Sequence, residues 1–164
     1  MEYLKHYVPL CWFKNNPLEL PRSVGFFQKN LYFYILVELF IQMNITDPLE
    51  ATIEVALETL LTLLFVAALL FSKKALVGFI PAATSFLVCE NVVAAFVLPV
   101  MIWLTTTDDL LSYYIVAVLV LWDIALIVYL IKRILATPTP IAIALSLLYF
   151  TVTYLGAFSF MQIF

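Results

Sequence analysis

Long apolar stretches separated by short charged turns are the feature that most limits what this chain can fold into. Five such stretches follow one another along the sequence. They run from Gly25 to Ile45, Leu49 to Phe71, Ala75 to Leu104, Leu110 to Ile131 and Pro138 to Phe164. A helix of about 20 apolar residues crosses the hydrocarbon core of a bilayer. Because lipid offers the backbone no hydrogen-bond partners, the stretches are expected to be helices.

The scarcity of charge supports a membrane protein. Apolar residues make up 65% of the chain and charged residues 12%, against about 25% charged residues in an average soluble domain. We predict an all-α, polytopic transmembrane bundle of five spans, with residues 25–164 as one domain and residues 1–24 as a cytoplasmic or interfacial tail. The alternative is four spans plus an interfacial N-terminal helix, because the tail mixes aromatic and basic residues.

The charged residues between the stretches alternate in sign. With five spans, all eight basic residues fall on one side of the membrane: Lys5, Lys14, Arg22, Lys29, Lys73, Lys74, Lys132 and Arg133. Loops rich in Lys and Arg stay in the cytoplasm. The sequence therefore predicts a cytoplasmic N-terminus, an exterior C-terminus and residence in a bacterial cytoplasmic (inner) membrane.

Acidic residues inside the apolar stretches are the main candidates for function. Glu90, which is followed by Asn91, lies 15 residues after Ala75 and 14 before Leu104, so it lies near the bilayer midplane at about 1.5 Å of rise per residue. Three other stretches carry one acid each at comparable depth, and no Lys, Arg or His lies at that level. The predicted intramembrane polar cluster is Glu38, Glu58, Glu90, Asn91 and Asp123.

An ionised acid facing lipid at the bilayer centre costs roughly 2.5–3.5 kcal/mol on insertion scales. Three arrangements avoid this cost. The acids are protonated, they line a hydrated cavity or bind a cation, or they meet basic or polar groups of another chain. A purely structural alternative is hydrogen bonding between helices that holds the bundle together.

A second acidic pattern leads toward this cluster. Glu50, Glu54 and Glu58 are spaced by four residues, so they form a stripe on one helix face. The stripe predicts an outer access path through Glu50 and Glu54 for a proton or a cation. Alternatively, Glu50 and Glu54 are interfacial and Glu58 is a protonated acid bonded to a neighbouring helix.

Other chemistry finds little support in the sequence. We see no nucleophile–base pair, and three glycines provide no phosphate-binding loop. The one histidine, His6, lies in the tail, and Cys89 beside Glu90 does not by itself define a metal site. Cys11 and Cys89 are not expected to form a structural disulfide. No enzyme activity, metal or cofactor is predicted. No nucleic-acid partner is predicted either, since no basic patch is present.

Several segments resemble the Yip (Ypt-interacting protein) family, particularly its small bacterial relatives. These segments are NPLELPRSVGFF at the entry, GFIPAATSFLVCENVVAAFVLPVMIW, LWDIALIVYLIKRIL and PIAIALSLLYFTVTYL. The departure is Cys89-Glu90-Asn91, which stands where small residues are expected. Eukaryotic members are membrane-trafficking scaffolds that contact small GTPases, whereas for bacterial relatives the resemblance implies membrane residence.

Two functions are consistent with these observations. The first is a non-enzymatic membrane scaffold or assembly subunit, whose partners are the lipid bilayer and other membrane subunits or further copies of this chain. It is favoured by the small loops and the unpaired acids. The alternative is a small proton- or cation-conducting membrane protein that uses the mid-membrane carboxylates.

Overall fold

The computed structural model describes residues 2–107 and 109–161, most of which are helical and none of which forms a strand. Five helical segments of this part are long and apolar enough to cross a membrane: Val24–Gln42, Pro48–Ser72, Leu76–Thr107, Leu110–Leu135 and Thr139–Ser159. The predicted all-α bundle with five spans is therefore confirmed. The last stretch was predicted to reach Phe164, and residues 162–164 lie outside the described part.

Seven α-helices are numbered in chain order. They are α1 (Glu2–Tyr7), α2 (Val24–Gln42), α3 (Pro48–Ser72), α4 (Phe79–Thr107), α5 (Leu110–Leu135), α6 (Thr139–Phe150) and α7 (Gly156–Met161). Short 3₁₀ helices cover Val8–Trp12, Pro17–Glu19 and Leu76–Gly78, and a π-helical turn, Thr151–Leu155, joins α6 to α7. The fifth span is thus α6, the π turn and α7.

Local chemistry explains where the helices begin. The Ser23 hydroxyl accepts a hydrogen bond from the Phe26 amide, and the Asp109 carboxylate accepts one from the Leu111 amide. Both are N-cap bonds that satisfy amides left free in a first turn. Prolines occupy the first turns of α3 and α6, where an amide is not needed. A 3₁₀ turn, Leu76–Gly78, comes directly before α4.

The five spans close into a ring with the order α2, α4, α5, fifth span, α3. Helix α4 packs against α2, α3 and α5, and the region from Pro81 to Asn91 is buried on every side. Four of its residues, Ala82 to Ser85, are small. Small side chains let neighbouring helices approach closely in a membrane. The close approach of its neighbours leaves residues 81–91 as the longest run of buried residues in the described part of the chain.

Residues 2–23 pack onto this bundle. Tyr7, Leu10 and Cys11 are at most 1% exposed and pack into the same core as α4 and α5. The Tyr7 hydroxyl donates to the Pro21 carbonyl at 2.9 Å. The Tyr129 hydroxyl, near the end of α5, donates to the Asn15 carbonyl at 2.7 Å. The segment therefore covers the end of the bundle that carries the basic turns, which we call the basic end.

Candidate functional site

A cavity of about 340 Å³ lies between α2, α4, α5 and the fifth span. Three of the predicted acids, each from a different span, line it. We call it the acid cavity, and its walls are Glu38, Ile41, Glu90, Val93, Ala94, Val97, Val120, Asp123, Phe150 and Tyr154. No lysine, arginine or histidine is among these wall residues. The structure thus brings together carboxyl groups that lie far apart in the sequence.

Glu90 is held in place by a hydrogen-bonded chain across three helices. The Tyr149 hydroxyl of α6 donates to Glu90 Oε1 at 3.1 Å and lies 3.2 Å from the Thr62 hydroxyl of α3. Since a tyrosine has one hydroxyl proton, the Thr62 hydroxyl donates to Tyr149 when Tyr149 donates to Glu90. Glu90, Thr62 and Tyr149 are all buried. This chain fixes the direction of the Glu90 carboxyl.

Asp123, in the cavity wall, has a carboxylate oxygen without a hydrogen-bond partner among the described residues. Its side chain is 7% exposed, and Oδ1 is buried without a hydrogen-bond partner among the described residues. A buried polar atom without a partner costs about 1–3 kcal/mol. Buried polar atoms in native proteins are nearly always satisfied, so an orphan points to a missing water, ion or ligand.

Glu38 and Glu58 complete the group. Glu38, on α2, is half-buried in the wall of the cavity. Glu58, on α3, is buried but is not one of the wall residues. Glu58 follows Glu54 by one helical turn on the same face of α3. Three of the four predicted acids therefore line the acid cavity, and the fourth is buried on α3, which packs against α2.

The acidic stripe on α3 becomes more buried toward the bundle interior. Glu50 is exposed, Glu54 is half-buried and Glu58 is buried. The Gln42 side-chain amide donates to the Glu54 carboxylate and joins α3 to α2. Gln42 lies one helical turn from Glu38, on the same face of α2. Polar side chains of α3 and α2 therefore lie between Glu50, at the exposed start of α3, and Glu38 in the cavity wall.

Asn91 does not line the acid cavity. Adjacent residues on a helix point in directions about 100° apart, and Asn91 lines a separate groove of about 490 Å³ together with Leu4 and Phe33. Its Nδ2 donates to the Asn30 carbonyl at 3.2 Å, while Oδ1 has no partner within the described chain. Asn91 thus joins α4 to α2 outside the acid cavity.

The two cysteines are neighbours, which their positions in the sequence did not suggest. Cys11 and Cys89 are free thiols, both fully buried, with their Sγ atoms 3.8 Å apart. The thiol contact lowers the pKa of Cys11 despite its burial. Within residues 2–107 and 109–161, no group of three or more His, Cys, Asp or Glu side chains is placed to hold a metal ion.

Sequence reasoning missed the aromatic part of the site. Tyr149 and Thr62 orient Glu90, and Phe150 and Tyr154 stack at 5.9 Å between ring centroids with planes 10° apart. The π-helical turn carries Tyr154. Such turns occur frequently at functional sites, but nothing in the apolar sequence marks where one will form.

Comparisons with known proteins identified no relative of this chain. No protein-family model, curated protein or solved structure matches this chain. The resemblance to the Yip family therefore stays a prediction. Function is inferred below from the side chains of the acid cavity and from the acidic stripe that leads toward it.

Proposed function

We propose that this protein is a small integral membrane protein that conducts protons or cations through the acid cavity. One observation carries the proposal. Glu38, Glu90 and Asp123 reach one cavity from three spans, and no basic side chain lines it. Intramembrane acids in such a setting mark ion pathways and proton relays in membrane proteins.

The path runs inward from the end of the bundle that carries Glu50, opposite the basic end. A proton or cation would enter at Glu50, pass the hydrogen-bonded pair of Glu54 and Gln42, and reach Glu38. Glu90 and Asp123 would then receive it in the cavity. Because three acids line one cavity, their protons would leave in steps that belong to the group and not to single residues.

Flux through reconstituted vesicles tests the proposal. Purified protein is placed in liposomes that contain a pH-sensitive dye, and a potassium gradient with valinomycin supplies the driving voltage. We expect Glu90→Gln and Asp123→Asn to reduce proton or sodium flux by about 100-fold, the lower limit of what a positioned proton-transfer group contributes. Glu2→Gln, at an exposed acid of α1, is the matched control and should leave flux unchanged.

The proposal fails if wild-type vesicles show no flux above protein-free liposomes. It also fails if flux is present and indifferent to both substitutions. In either case the acids would act as hydrogen-bonding groups between helices, a use of polar residues that also occurs in membranes.

A scaffold or assembly subunit is the second candidate function. It is supported by the carboxyl groups of the acid cavity, which have no basic side chain among the described wall residues and could meet one from a partner. Partners would be other membrane subunits or a second copy of the chain. Co-purification in mild detergent tests this role. Loss of a partner on Glu90→Gln or Asp123→Asn would favour the scaffold, because a buried ion pair broken on one side costs about 3–5 kcal/mol.

The orientation proposed with this function follows from the basic residues. The N-terminus and the turn at Lys73–Lys74 would face the cytoplasm, and the acidic stripe would begin outside. Reporter fusions after Phe164 in a bacterial host should report an exterior C-terminus. A cytoplasmic reporter there would reverse the direction of the proposed path.

A further inference from the structure

We propose that the acid cavity binds an organic cation with an apolar body, such as an alkyl- or aryl-substituted ammonium or phosphonium ion. This inference rests on the proposed function and names the class of cation that the cavity accepts. It follows from the size of the cavity, the nature of its walls and the unused oxygen of Asp123.

The walls are mostly apolar although three carboxyl groups reach them. Ile41, Val93, Val97 and Val120 supply aliphatic surface from three different spans. A bare hard cation such as Ca²⁺ requires six to eight oxygen ligands at short range, which such walls do not provide. Small-molecule sites have volumes of about 300–1,000 Å³, apolar linings and a few polar anchors, and the cavity of about 340 Å³ fits that description.

The polar anchors are arranged for a positive charge. Asp123 Oδ1 is buried and unpartnered, and it belongs to a residue of the cavity wall. Tyr149 holds Glu90 at a second wall position, and Glu38 supplies a third carboxyl group. No cationic side chain lines the cavity. A ligand with one positive charge would meet Asp123 and Glu90 and remove part of the cost of burying them.

The stacked rings of Phe150 and Tyr154 provide a further contact. Both residues line the cavity, and the planes of their rings are nearly parallel. The faces of aromatic rings attract cations, and this attraction underlies the recognition of quaternary ammonium groups in proteins. Organic cations whose charge is covered by carbon therefore fit both the acids and the aromatic rings.

Protons compete with such a ligand, because a protonated carboxyl group no longer attracts a cation. The groups facing Glu90 and Asp123 are all acids, phenols or thiols, so acidification adds no positive side chain to the site. They are Glu38 and Tyr34 on α2, Glu58 on α3, Cys89 on α4, and Tyr149 and Tyr154 on the fifth span. Binding of the organic cation should therefore weaken as pH falls.

Binding of tetraphenylphosphonium to the purified, detergent-solubilised protein tests the inference. We expect saturable binding by calorimetry, and no binding of triphenylphosphine oxide, which resembles the probe but carries no net charge. Asp123→Asn should weaken binding roughly 10- to 100-fold, as the loss of a charged contact does. Val97→Trp fills the cavity without altering its charge and should abolish binding. Val118→Trp, at a 64% exposed position of α5, is the matched control.

The outcomes separate this inference from the proposed function. Sodium or proton flux that depends on Asp123, combined with no tetraphenylphosphonium binding, overturns the inference and leaves the proposed function standing. Binding that is equal in wild type, Asp123→Asn and Val97→Trp also overturns it. If tetraphenylphosphonium binding depends on the cavity but the protein shows no proton or sodium flux, the ligand class is supported and the proposed conduction is ruled out. If Asp123→Asn does not fold, Glu38→Gln with Val97→Trp decides the question.

Discussion

Two regions of the bundle interior differ in how closely their side chains pack. The packed core, which includes Val66, Phe86, Leu126, Ile127 and Leu130, consists of fully buried apolar side chains. The acid cavity, on the other side of Tyr149, leaves about 340 Å³ between the helices, and its walls are mostly apolar with three carboxyl groups reaching them. The packed core therefore supplies stability, and the cavity retains polar groups whose burial is costly unless something binds them.

The largest effect on the free energy of unfolding is expected when an isoleucine is replaced by alanine, and its size should differ between the two regions. Ile127→Ala in the packed core should lower the free energy of unfolding by about 2–5 kcal/mol, because it creates a cavity among closely packed atoms. Ile41→Ala in the wall of the acid cavity should cost clearly less, since it enlarges an existing space. Unfolding in mixed micelles measures both values. Equal losses would show that the two regions are packed alike.

Tyr149→Phe tests the boundary between the regions. The substitution keeps the ring contacts with Phe65 and Phe86 but removes the hydroxyl that serves Glu90 and Thr62. We expect a loss of about 1–3 kcal/mol, the cost of leaving buried polar groups without a partner. Tyr32→Phe, at a 65% exposed position, is the control. A change below about 0.5 kcal/mol, which is usual for surface positions, would mean that Glu90 is oriented by other contacts.

Tyr7→Phe measures how firmly the N-terminal segment belongs to the packed core. Loss of the hydrogen bond to the Pro21 carbonyl should cost about 0.5–1.5 kcal/mol. Burial raises the pKa of Tyr7 from 10.0 to about 12. Because the folded state holds the phenolic proton more tightly, this stabilisation is complete below pH 10 and is lost as pH rises toward 12. The pH dependence of unfolding over this range should be shallower in the variant, and an unchanged dependence would contradict it.

Glu54→Gln is expected to have the smallest effect on stability and to sharpen the role of the acidic stripe. The glutamine retains an oxygen that can accept the hydrogen bond from Gln42, so unfolding should change by less than about 0.5 kcal/mol. Proton or cation flux should fall, because the charge at the entrance is removed. Lys14→Gln, on the opposite side of the bundle, is the control. Unchanged flux in Glu54→Gln would place the entrance elsewhere.

Much of the fold could be predicted from the sequence because the membrane leaves few choices. Length and apolar content predicted five helices to within a few residues. The acids could be selected for the same reason, since a charge at mid-depth is costly and therefore noticeable. Glu38, Glu90 and Asp123 do share a cavity, whereas Glu58 and Asn91 do not line it, because helix rotation depends on packing and not on depth.

The partners of these acids could not be predicted. Tyr149 and Thr62 are 87 residues apart and meet only because α3 and the fifth span are neighbours in the ring. Cys11 and Cys89 meet across 78 residues for a similar reason, since the N-terminal segment packs on α4. Apolar helices resemble one another, so the order in which they pack is not visible in their composition.

The sequence by itself determined the class of protein and the number of spans, because hydrophobicity and helix rise act residue by residue. Only the tertiary structure decided that the first half of α4 is buried, that Asp123 keeps an oxygen without a partner and that Phe150 and Tyr154 stack where they line the acid cavity. Those features depend on how helices rotate and close around one another. That arrangement is set by contacts between residues far apart in the chain.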